Sequence, residues 1–322
     1  MSRALCGGYV VLDVVHCTWG VRRAAGGTAA NIAANLCYLG WESEITARIG
    51  DDSAGKAVVA DLRAVGVAVD GLWLDADTVT PLIEHSSRDG VPRYRYGCSE
   101  CRRGVAVYRP LPEEAASEVL SAGLRDVFVF DRPCRFNAAV AEAHRTGGRQ
   151  VVYEPATKAS PGAHRRACAA ATIVKISRPD RETIGDRLPP TAEGEVRITT
   201  DGAEGATLEL NGVCRRVSPP RVSAVDAGGA GDWLTAAIVH RLASGSGPMD
   251  ALDWAQAVAA MSTLYPGARG MSSSISRSAM YQRAGRIRRG MSVQTGDVAT
   301  SSRRARRGSC PRCGLALPRN RS

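Results

Sequence analysis

Aromatic residues make up only 5% of this 322-residue chain, so its core must be built mainly from Val, Ala and Leu. No run of eighteen apolar residues occurs, which argues against a transmembrane helix. The start, MSRALCGGYVVLDVV, lacks a charged segment followed by a cleavage site and predicts a first β-strand rather than a signal peptide. These absences favour a cytoplasmic globular protein with no membrane partner.

A net charge is also missing from most of the chain, although the whole sequence carries +10 at pH 7. Residues 283–322 contain eleven Arg and one Asp, which accounts for the entire excess. The rest of the chain has as many acidic as basic residues. A neutral body argues against nucleic acid as a partner of the folded part.

Strand-like and helix-like segments alternate, as in ALCGGYVVLDV, GTAANIAANLCYLG and SEITARIG. This rhythm predicts an α/β fold with a doubly wound, mostly parallel sheet and helices on both faces. The half-polar strands around the SSRDG turn predict a small inserted β lid at approximately 70–110. We therefore expect a main domain over 1–272, a poorly ordered Arg/Ser-rich tail over 273–309, and a CxxC segment over 310–322.

The stretch AVDAGGAGDWLTAA places glycines and aspartates directly before a helix. Backbone N–H groups of Gly229, Ala230, Gly231 and Asp232 can converge there on an anion, and the helix dipole adds partial positive charge. A carboxylate beside such a site suits proton abstraction from an attacking hydroxyl. We therefore expect phosphoryl transfer with Asp232 as the base; the alternative is that Asp232 only caps the helix.

This stretch resembles the D-T-x-G-A-G-D signature of the ribokinase-like (PfkB) carbohydrate kinases, with Ala227 in place of Thr. AGGTAANIAANLCYLG is similar to the family's G-G-x-x-x-N segment. TDGAEG is similar to its T-x-G-x-x-G nucleotide loop, and Gly50, Asp52 and Gly55 match its G-x-D-x-x-G segment. These motifs follow one another in the family's order over residues 4–272.

The resemblance implies roles for further residues and a need for ATP and Mg²⁺. Implied substrate-binding residues are Asp13, at the end of the first strand, and Gly26, Gly27, Asn31 and Asp131. Implied nucleotide-binding residues are Lys175, Thr200, Gly202, Gly205, Gln256 and Gly267. Asp180, with Ser177, would hold Mg²⁺ through water, and Asp226 would hold a monovalent cation or shape its loop.

The resulting prediction is an ATP-dependent kinase for a hydroxyl group on a sugar or sugar derivative, with a homodimer through the lid as a further expectation. One alternative is a nucleoside kinase of the same fold, for which Trp19 and Trp73 are candidate base contacts. A second is a catalytically weakened relative that binds or regulates, since S-x-x-D replaces the family's usual N-x-x-E at Ser177–Asp180.

Ten cysteines in a cytoplasmic chain argue against a disulfide framework. Six are scattered and are best explained as small buried hydrophobes. The other four form two CxxC pairs, Cys98/Cys101 and Cys310/Cys313, which together supply the four ligands of a tetrahedral zinc site. Unrelated free thiols, or a labile disulfide within each pair, are the alternatives.

Overall fold

A computed structural model describes residues 1–17, 20–290, 309–310, 312–313 and 315 of the chain. In this part of the chain thirteen strands form two sheets. The second, smaller sheet contains β2 (Val11–Cys17), β3 (Gly20–Gly26), β6 (Leu82–Arg88) and β7 (Val91–Tyr96). The main sheet contains β1 (Arg3–Gly7), β4 (Glu42–Gly50), β5 (Ala68–Asp75), β8 (Val127–Phe130), β9 (Gln150–Tyr153), β10 (Ile173–Ser177), β11 (Val196–Thr200), β12 (Ala206–Leu210) and β13 (Val213–Val217).

The main sheet has the order β13-β12-β11-β10-β9-β8-β1-β4-β5. Its pairings are parallel from β5 through to β11, and β12 and β13 add an antiparallel edge. After β1 the chain builds one side of the sheet and then returns to the other, so the direction of winding changes between β1 and β8. In open α/β sheets the crevice at such a point, beyond the carboxyl ends of the strands, is where ligands bind.

The helices are α1 (Thr28–Leu39), α2 (Ser53–Ala64), α3 (Ala115–Ser121), α4 (Arg135–Thr146), α5 (Pro161–Ala170), α6 (Arg178–Ile184), α7 (Ala230–Ala243), α8 (Pro248–Ser262), α9 (Gly270–Ser274) and α10 (Arg277–Arg288). None of the helices in the described residues is long and apolar enough to cross a membrane.

Both faces of the main sheet are buried, as its nearly continuous apolar strands predict. Along β8, Val127 and Val129 join the core on the side of α1, α7 and α8, while Phe128 and Phe130 join the core on the side of α4 and α5. This alternation follows from the two-residue period of a strand. The predicted doubly wound sheet with helices on both faces is therefore confirmed.

The small sheet has the order β3-β2-β6-β7 and forms the lid. It takes one hairpin from residues 11–26 and the other from residues 82–96, so the predicted single insertion at approximately 70–110 is wrong in its bounds. Residues 68–75 belong instead to the edge of the main sheet. The SSRDG turn is where it was expected, with Asp89 (φ 54°) and Gly90 (φ 76°) joining β6 to β7. The homodimer through this lid stays a prediction.

The predicted single strand ALCGGYVVLDV is divided between the two sheets at Gly8, which has φ 140°. A Cβ at Gly8 would lie 1.7 Å from Asp131 Oδ1, so only glycine fits at this close approach. The break moves Asp13 from the expected end of the first strand to the middle of lid strand β2.

The expectation of a poorly ordered tail over 273–309 is wrong for α10. Met280, Ala284 and Ile287 are buried at helical spacing against the core, and the Tyr281 ring stacks on Trp254 at 5.5 Å. Arg283 Nη1 donates to Tyr265 Oη at 2.7 Å. The abundant Arg residues hide a narrow apolar stripe that is sufficient to dock one helix. Residues 291–308 of the expected tail lie outside the described residues.

Candidate active site

The N-terminus of α7 has the close approaches that the predicted anion site requires. Gly229, with φ 77°, precedes the helix, and a Cβ there would lie 2.3 Å from the Ala268 Cβ. A Cβ at Gly231 would lie 2.9 Å from Lys175 Nζ. Small residues therefore let a loop, a helix end and an ammonium group converge at one place. The first N–H groups of a helix have no partners within the helix and bind anions readily.

Asp232 lies in the first turn of α7 and accepts a 2.7 Å hydrogen bond from Asn31 Nδ2. Burial and the neighbouring Glu154 carboxylate raise the pKa of Asp232 to about 7, against the opposing effects of Lys175 and Asn31. A carboxyl with this pKa can accept a proton near neutral pH, as a general base must. The structure thus brings together two residues, Asn31 and Asp232, that are 201 positions apart in the sequence.

A buried ion pair beside Asp232 was not predicted. Lys175 Nζ lies 2.9 Å from Glu154 Oε2, and both side chains are largely buried. Thr235 Oγ1 donates to the other oxygen of Glu154. Burial lowers the pKa of Lys175, but Glu154 and Asp232 more than offset it, so the pKa is raised and the side chain is a cation. Glu154 directly follows β9, and only the strand order shows that it adjoins Lys175 on β10.

Asp13 borders a small cavity between the lid and the main domain. The cavity is lined by Asp13, Val15, Arg22, Ala24, Ala25, Asn31, Pro266, Gly267, Ala268, Arg269 and Gly270. A Cβ at Gly26, just before Gly27 and α1, would lie 1.9 Å from Asp13 Oδ2, so glycine gives this carboxylate its space. Burial raises the pKa of Asp13 to about 6, opposed by His85 and Arg269.

Two arginines that line the same cavity were not predicted from the sequence. Arg269 is 5% exposed, and its Nε and Nη1 have no hydrogen-bond partner among the described residues. Its Nη2 contacts Asp61. Arg22, on lid strand β3, donates to Ser273. Buried N–H groups without partners are costly unless a ligand satisfies them.

Asp226 is held by protein donors on both carboxylate oxygens. Oδ1 accepts from Gly228 N at 2.9 Å and Oδ2 from Gly267 N at 2.8 Å. His85 Nε2, on lid strand β6, lies 3.2 Å from Oδ1, and both side chains are buried. Burial alone would raise the pKa of Asp226, but His85 and the two amides lower it. These contacts account for a loop-shaping role, and a monovalent cation at Asp226 stays a prediction.

The lid touches the loop before α7 directly. Ala227 N donates to Gly90 O at 3.1 Å, and Ser87 Oγ donates to Val225 O at 3.0 Å. Tyr94, on β7, packs its ring against His85 at 4.9 Å. Tyr94 therefore lies on the lid beside the pair of His85 and Asp226. The lid therefore covers the loop before α7.

Asp131 follows β8 at the point where the winding changes, as expected. Its Oδ1 accepts from Tyr9 N at 2.8 Å, and Oδ2 lies 2.9 Å from Arg132 Nη1. Burial raises the pKa of Asp131, and Arg132 and the Tyr9 amide oppose this. Both oxygens therefore have protein partners that fix the turn after β1, and a direct contact of Asp131 with substrate stays a prediction.

The predicted nucleotide loop lies at the carboxyl end of β11, beside Lys175 and Ser177 on the parallel strand β10. Thr200 ends β11, and Gly202 and Gly205 follow in a tight turn with φ 53° and 105°. A Cβ at Gly202 would meet nothing within 4 Å, so this side of the turn is open to a ligand. The position agrees with the expected binding of phosphates at strand ends.

Other predicted nucleotide or metal ligands have protein partners. Asp180 Oδ2 accepts from Ser177 Oγ at 2.6 Å, and Ser177 caps α6. Gln256 is buried in α8 and donates to Val217 O at 3.4 Å. Gly267 lies against Val15 of the lid and lines the Asp13 cavity, so the structure groups it with the lid side rather than with Gly202.

Of the two tryptophans proposed as base contacts, Trp73 is wrong: it is on β5 at the edge of the main sheet and outside the lid. Trp19 lies outside the described residues.

The two CxxC pairs lie next to each other in the structure. Sulfur atoms of Cys98, Cys101, Cys310 and Cys313 all lie within 4.8 Å of one another.

A doubly wound sheet with a β lid over a glycine-rich helix N-terminus defines the ribokinase-like fold. A family model for the pfkB family carbohydrate kinases matches residues 6–275, and the chain belongs to this family. It is similar to "Probable fructokinase-5" of Arabidopsis thaliana, with 25% identity over 301 residues that cover 81% of this chain and 91% of that protein.

Two solved structures share the fold. A fructokinase from Vibrio cholerae O395, with bound fructose, ADP and potassium ion, has TM-score 0.68 and 20% identity over 88% of this chain and 98% of that one. Aminoimidazole riboside kinase from Salmonella enterica, complexed with aminoimidazole riboside and an ATP analog, has TM-score 0.67 and 20% identity over 88% of this chain and 100% of that one. A fructokinase and a riboside kinase thus share this fold.

Proposed function

We propose that this protein transfers the γ-phosphoryl group of ATP to a hydroxyl group of a sugar or sugar derivative. The observation that carries the proposal is the position of the Asp232 carboxylate. It lies in the first turn of α7, hydrogen-bonded to Asn31, which lines the same cavity as Asp13. This arrangement supports a proton acceptor, a phosphate site and a pocket for hydroxyl groups side by side under the lid.

In this proposal Asp232 takes the proton from the acceptor hydroxyl as that oxygen forms its bond to phosphorus. The bond between the γ-phosphorus and its bridging oxygen breaks, and ADP leaves. Backbone N–H groups of Gly229, Ala230, Gly231 and Asp232 stabilise the charge on the transferring group. Lys175, a buried cation beside Gly231, adds to the same stabilisation.

The residues present fit a nucleotide. The turn after Thr200 is open at Gly202, and Thr200 adjoins Ser177 in register. The helix N-terminus at Gly229 offers backbone donors to phosphates. Bound Mg²⁺ would neutralise phosphate charge, and Asp180 would hold it through water. Because Asp180 already accepts from Ser177, a water-mediated contact suits it better than a direct one.

The Asp13 cavity indicates the class of acceptor. Asp13 can accept hydrogen bonds from sugar hydroxyls, and Asn31 can donate or accept. Arg269 brings two buried N–H groups that lack partners, and Arg22 lies on the same cavity. A carboxylate or phosphate on the sugar would satisfy them. We therefore expect an acidic sugar derivative to be a better acceptor than its neutral counterpart.

A nucleoside acceptor is the second candidate. Tyr94 packs against His85 on the lid and is 54% exposed, so its ring can stack on a base. This candidate predicts that a nucleoside outperforms every sugar.

The test is an ADP-release assay on the full chain, with ATP and a panel of neutral sugars, acidic sugars, sugar phosphates and nucleosides. We expect acceptor-dependent ADP release that is lost in the Asp232→Asn variant. Asp250→Asn is the matched control, since Asp250 is an exposed aspartate in the first turn of another helix, α8. Absence of acceptor-dependent release, with ATP still bound, would instead support a binding or regulatory role.

A further inference from the structure

The four cysteines of the two CxxC pairs lie outside the candidate active site and have no role in it. Cys98, Cys310 and Cys313 are buried, and Cys101 is half-buried. We propose that they bind one structural Zn²⁺, which fastens the C-terminal knuckle (Cys310, Arg312, Cys313 and Leu315) to the lid. The metal site itself does not depend on the proposed kinase function.

The sulfur geometry carries the proposal. Four thiolates about 2.3 Å from a central Zn²⁺ in a tetrahedron lie about 3.8 Å from one another. Cys98 Sγ lies 3.8 Å from Cys310 Sγ, and Cys101 Sγ lies 3.7 Å from Cys313 Sγ. All four sulfurs fall within 4.8 Å, which leaves room for one ion and not for a cluster of several metals. A disulfide would need sulfurs about 2.05 Å apart.

The backbone around each pair has the form of a metal knuckle. The amides of Glu100 and Cys101 hydrogen-bond the Cys98 sulfur. In the same way, those of Arg312 and Cys313 hydrogen-bond the Cys310 sulfur. Such N–H groups stabilise thiolates and orient them as ligands. Four protein ligands complete the tetrahedron, so the site is closed and structural rather than catalytic.

The C-terminal knuckle contacts the lid at several separate places. Arg312 Nε lies 3.1 Å from Glu84 Oε1 on β6, and Arg23 of β3 donates to Cys313 O. Glu84 is 4% exposed and also accepts from Ser99 N and Oγ, both at 3.0 Å. Ser99 lies between Cys98 and Cys101. The metal would therefore join the loop after β7 to this distant segment, which also hydrogen-bonds to two strands of the lid.

This link between the C-terminal knuckle and the lid, called the clasp below, also supports strand β6, which reaches the candidate active site. Glu84 and His85 are neighbours on β6, so their side chains point to opposite faces of the lid. Glu84 faces the cysteines, whereas His85 lies against Asp226. Strand β7 of the lid is mostly exposed, and a metal that closes a loop of 212 residues can stabilise this part of the lid. Without the metal we expect β6 and β7 to open more often.

The first experiment measures metal in the full-length protein purified without added metal. We expect about one zinc per chain, and a near-complete loss of zinc in Cys98→Ser and Cys310→Ser. Cys214→Ser is the control, since Cys214 is an exposed cysteine on β13, and it should keep its zinc. Cobalt(II) in place of zinc should give the intense visible absorption of a tetrahedral thiolate complex, a readout that does not require activity.

Three results would overturn the zinc site: metal-free protein whose four thiols all titrate, one iron per chain in place of zinc, or two disulfides between the pairs by mass spectrometry. The role as a clasp has its own test. Hydrogen exchange of residues 82–105 in the wild type should become faster after zinc removal by a chelator, while residues 127–153 of the main sheet should not change. Equal protection of the lid with and without zinc would refute the clasp.

Discussion

Replacing Asp232 by Asn separates the roles of its charge in catalysis and in stability. The change is nearly isosteric, and the side-chain oxygen of Asn can still accept from Asn31 Nδ2, now 2.7 Å from Asp232. What is lost is the ability to take a proton. We therefore expect turnover with the best acceptor to fall by about 10² to 10⁴, the usual contribution of a general base.

The same substitution should stabilise the protein. Burial and Glu154 raise the pKa of Asp232 from 3.8 to about 7. Ionising it in the folded state therefore costs at most about 4 kcal/mol. The unfolded chain loses its proton near pH 4 and the folded chain only near pH 7. Stability therefore falls as pH rises between these values and is level above about pH 7.

Asn carries no such penalty, so the stability gained by Asp232→Asn should depend on pH. We expect a gain of at most about 4 kcal/mol at pH 8 and about 1.5 kcal/mol at pH 5, measured by urea unfolding. In the wild type, turnover should rise with pH through about 7 as the base ionises, if no later step limits the rate.

Asp250→Asn is the control for both readouts, because it removes an exposed first-turn aspartate from α8 and should change neither turnover nor the pH dependence of stability. The reasoning is refuted if Asp232→Asn turns over as fast as the wild type. It is also refuted if the variant is less stable than the wild type at pH 8, since Asp232 would then contribute to the fold as an ordinary helix cap.

Gly229→Ala should abolish turnover, because Gly229 has φ 77° and an added Cβ would clash with Ala268. Gly66→Ala is the control, since Gly66 has φ 87° but open space around it. It should lower the free energy of unfolding by only about 1 kcal/mol and leave turnover unchanged. Ile287→Ala should destabilise the protein by about 2–5 kcal/mol in urea if α10 is docked, and by almost nothing if it is not. Lys175→Met should cost about 3–5 kcal/mol because it leaves Glu154 buried without its cation, and adding Glu154→Gln should recover most of the loss.

Local patterns in the sequence were enough to predict the main sheet and the turn that precedes α7. Continuous apolar strands such as VFVF at 127–130 and the glycines before α7 carry their signal within a few residues. The lid was harder, because its two hairpins are separated by more than fifty residues that belong to the main domain. A single glycine, Gly8, moves the chain from one sheet to the other, and its role depends on Asp131, which is far away in sequence.

The site residues that the sequence did not reveal also depend on contacts between segments that are far apart in the chain. Glu154 adjoins Lys175 because β9 and β10 are neighbours in the sheet, and His85 adjoins Asp226 because the lid folds over the loop. Neither pair has a spacing that reveals it. The docking of α10 was missed because only three of its twelve positions are both apolar and buried, and its Arg residues dominate the composition.

In the proposed reaction Asp232 is the base through which an acceptor hydroxyl receives the phosphoryl group of ATP. Phosphorus-31 NMR of the full-length protein with ATP and the best acceptor of the panel tests this most directly. We predict that a phosphomonoester resonance grows in step with ADP, and that both grow about 10² to 10⁴ times more slowly in Asp232→Asn. Growth of inorganic phosphate in place of the phosphomonoester, or equal rates in the variant and the wild type, would contradict the claim.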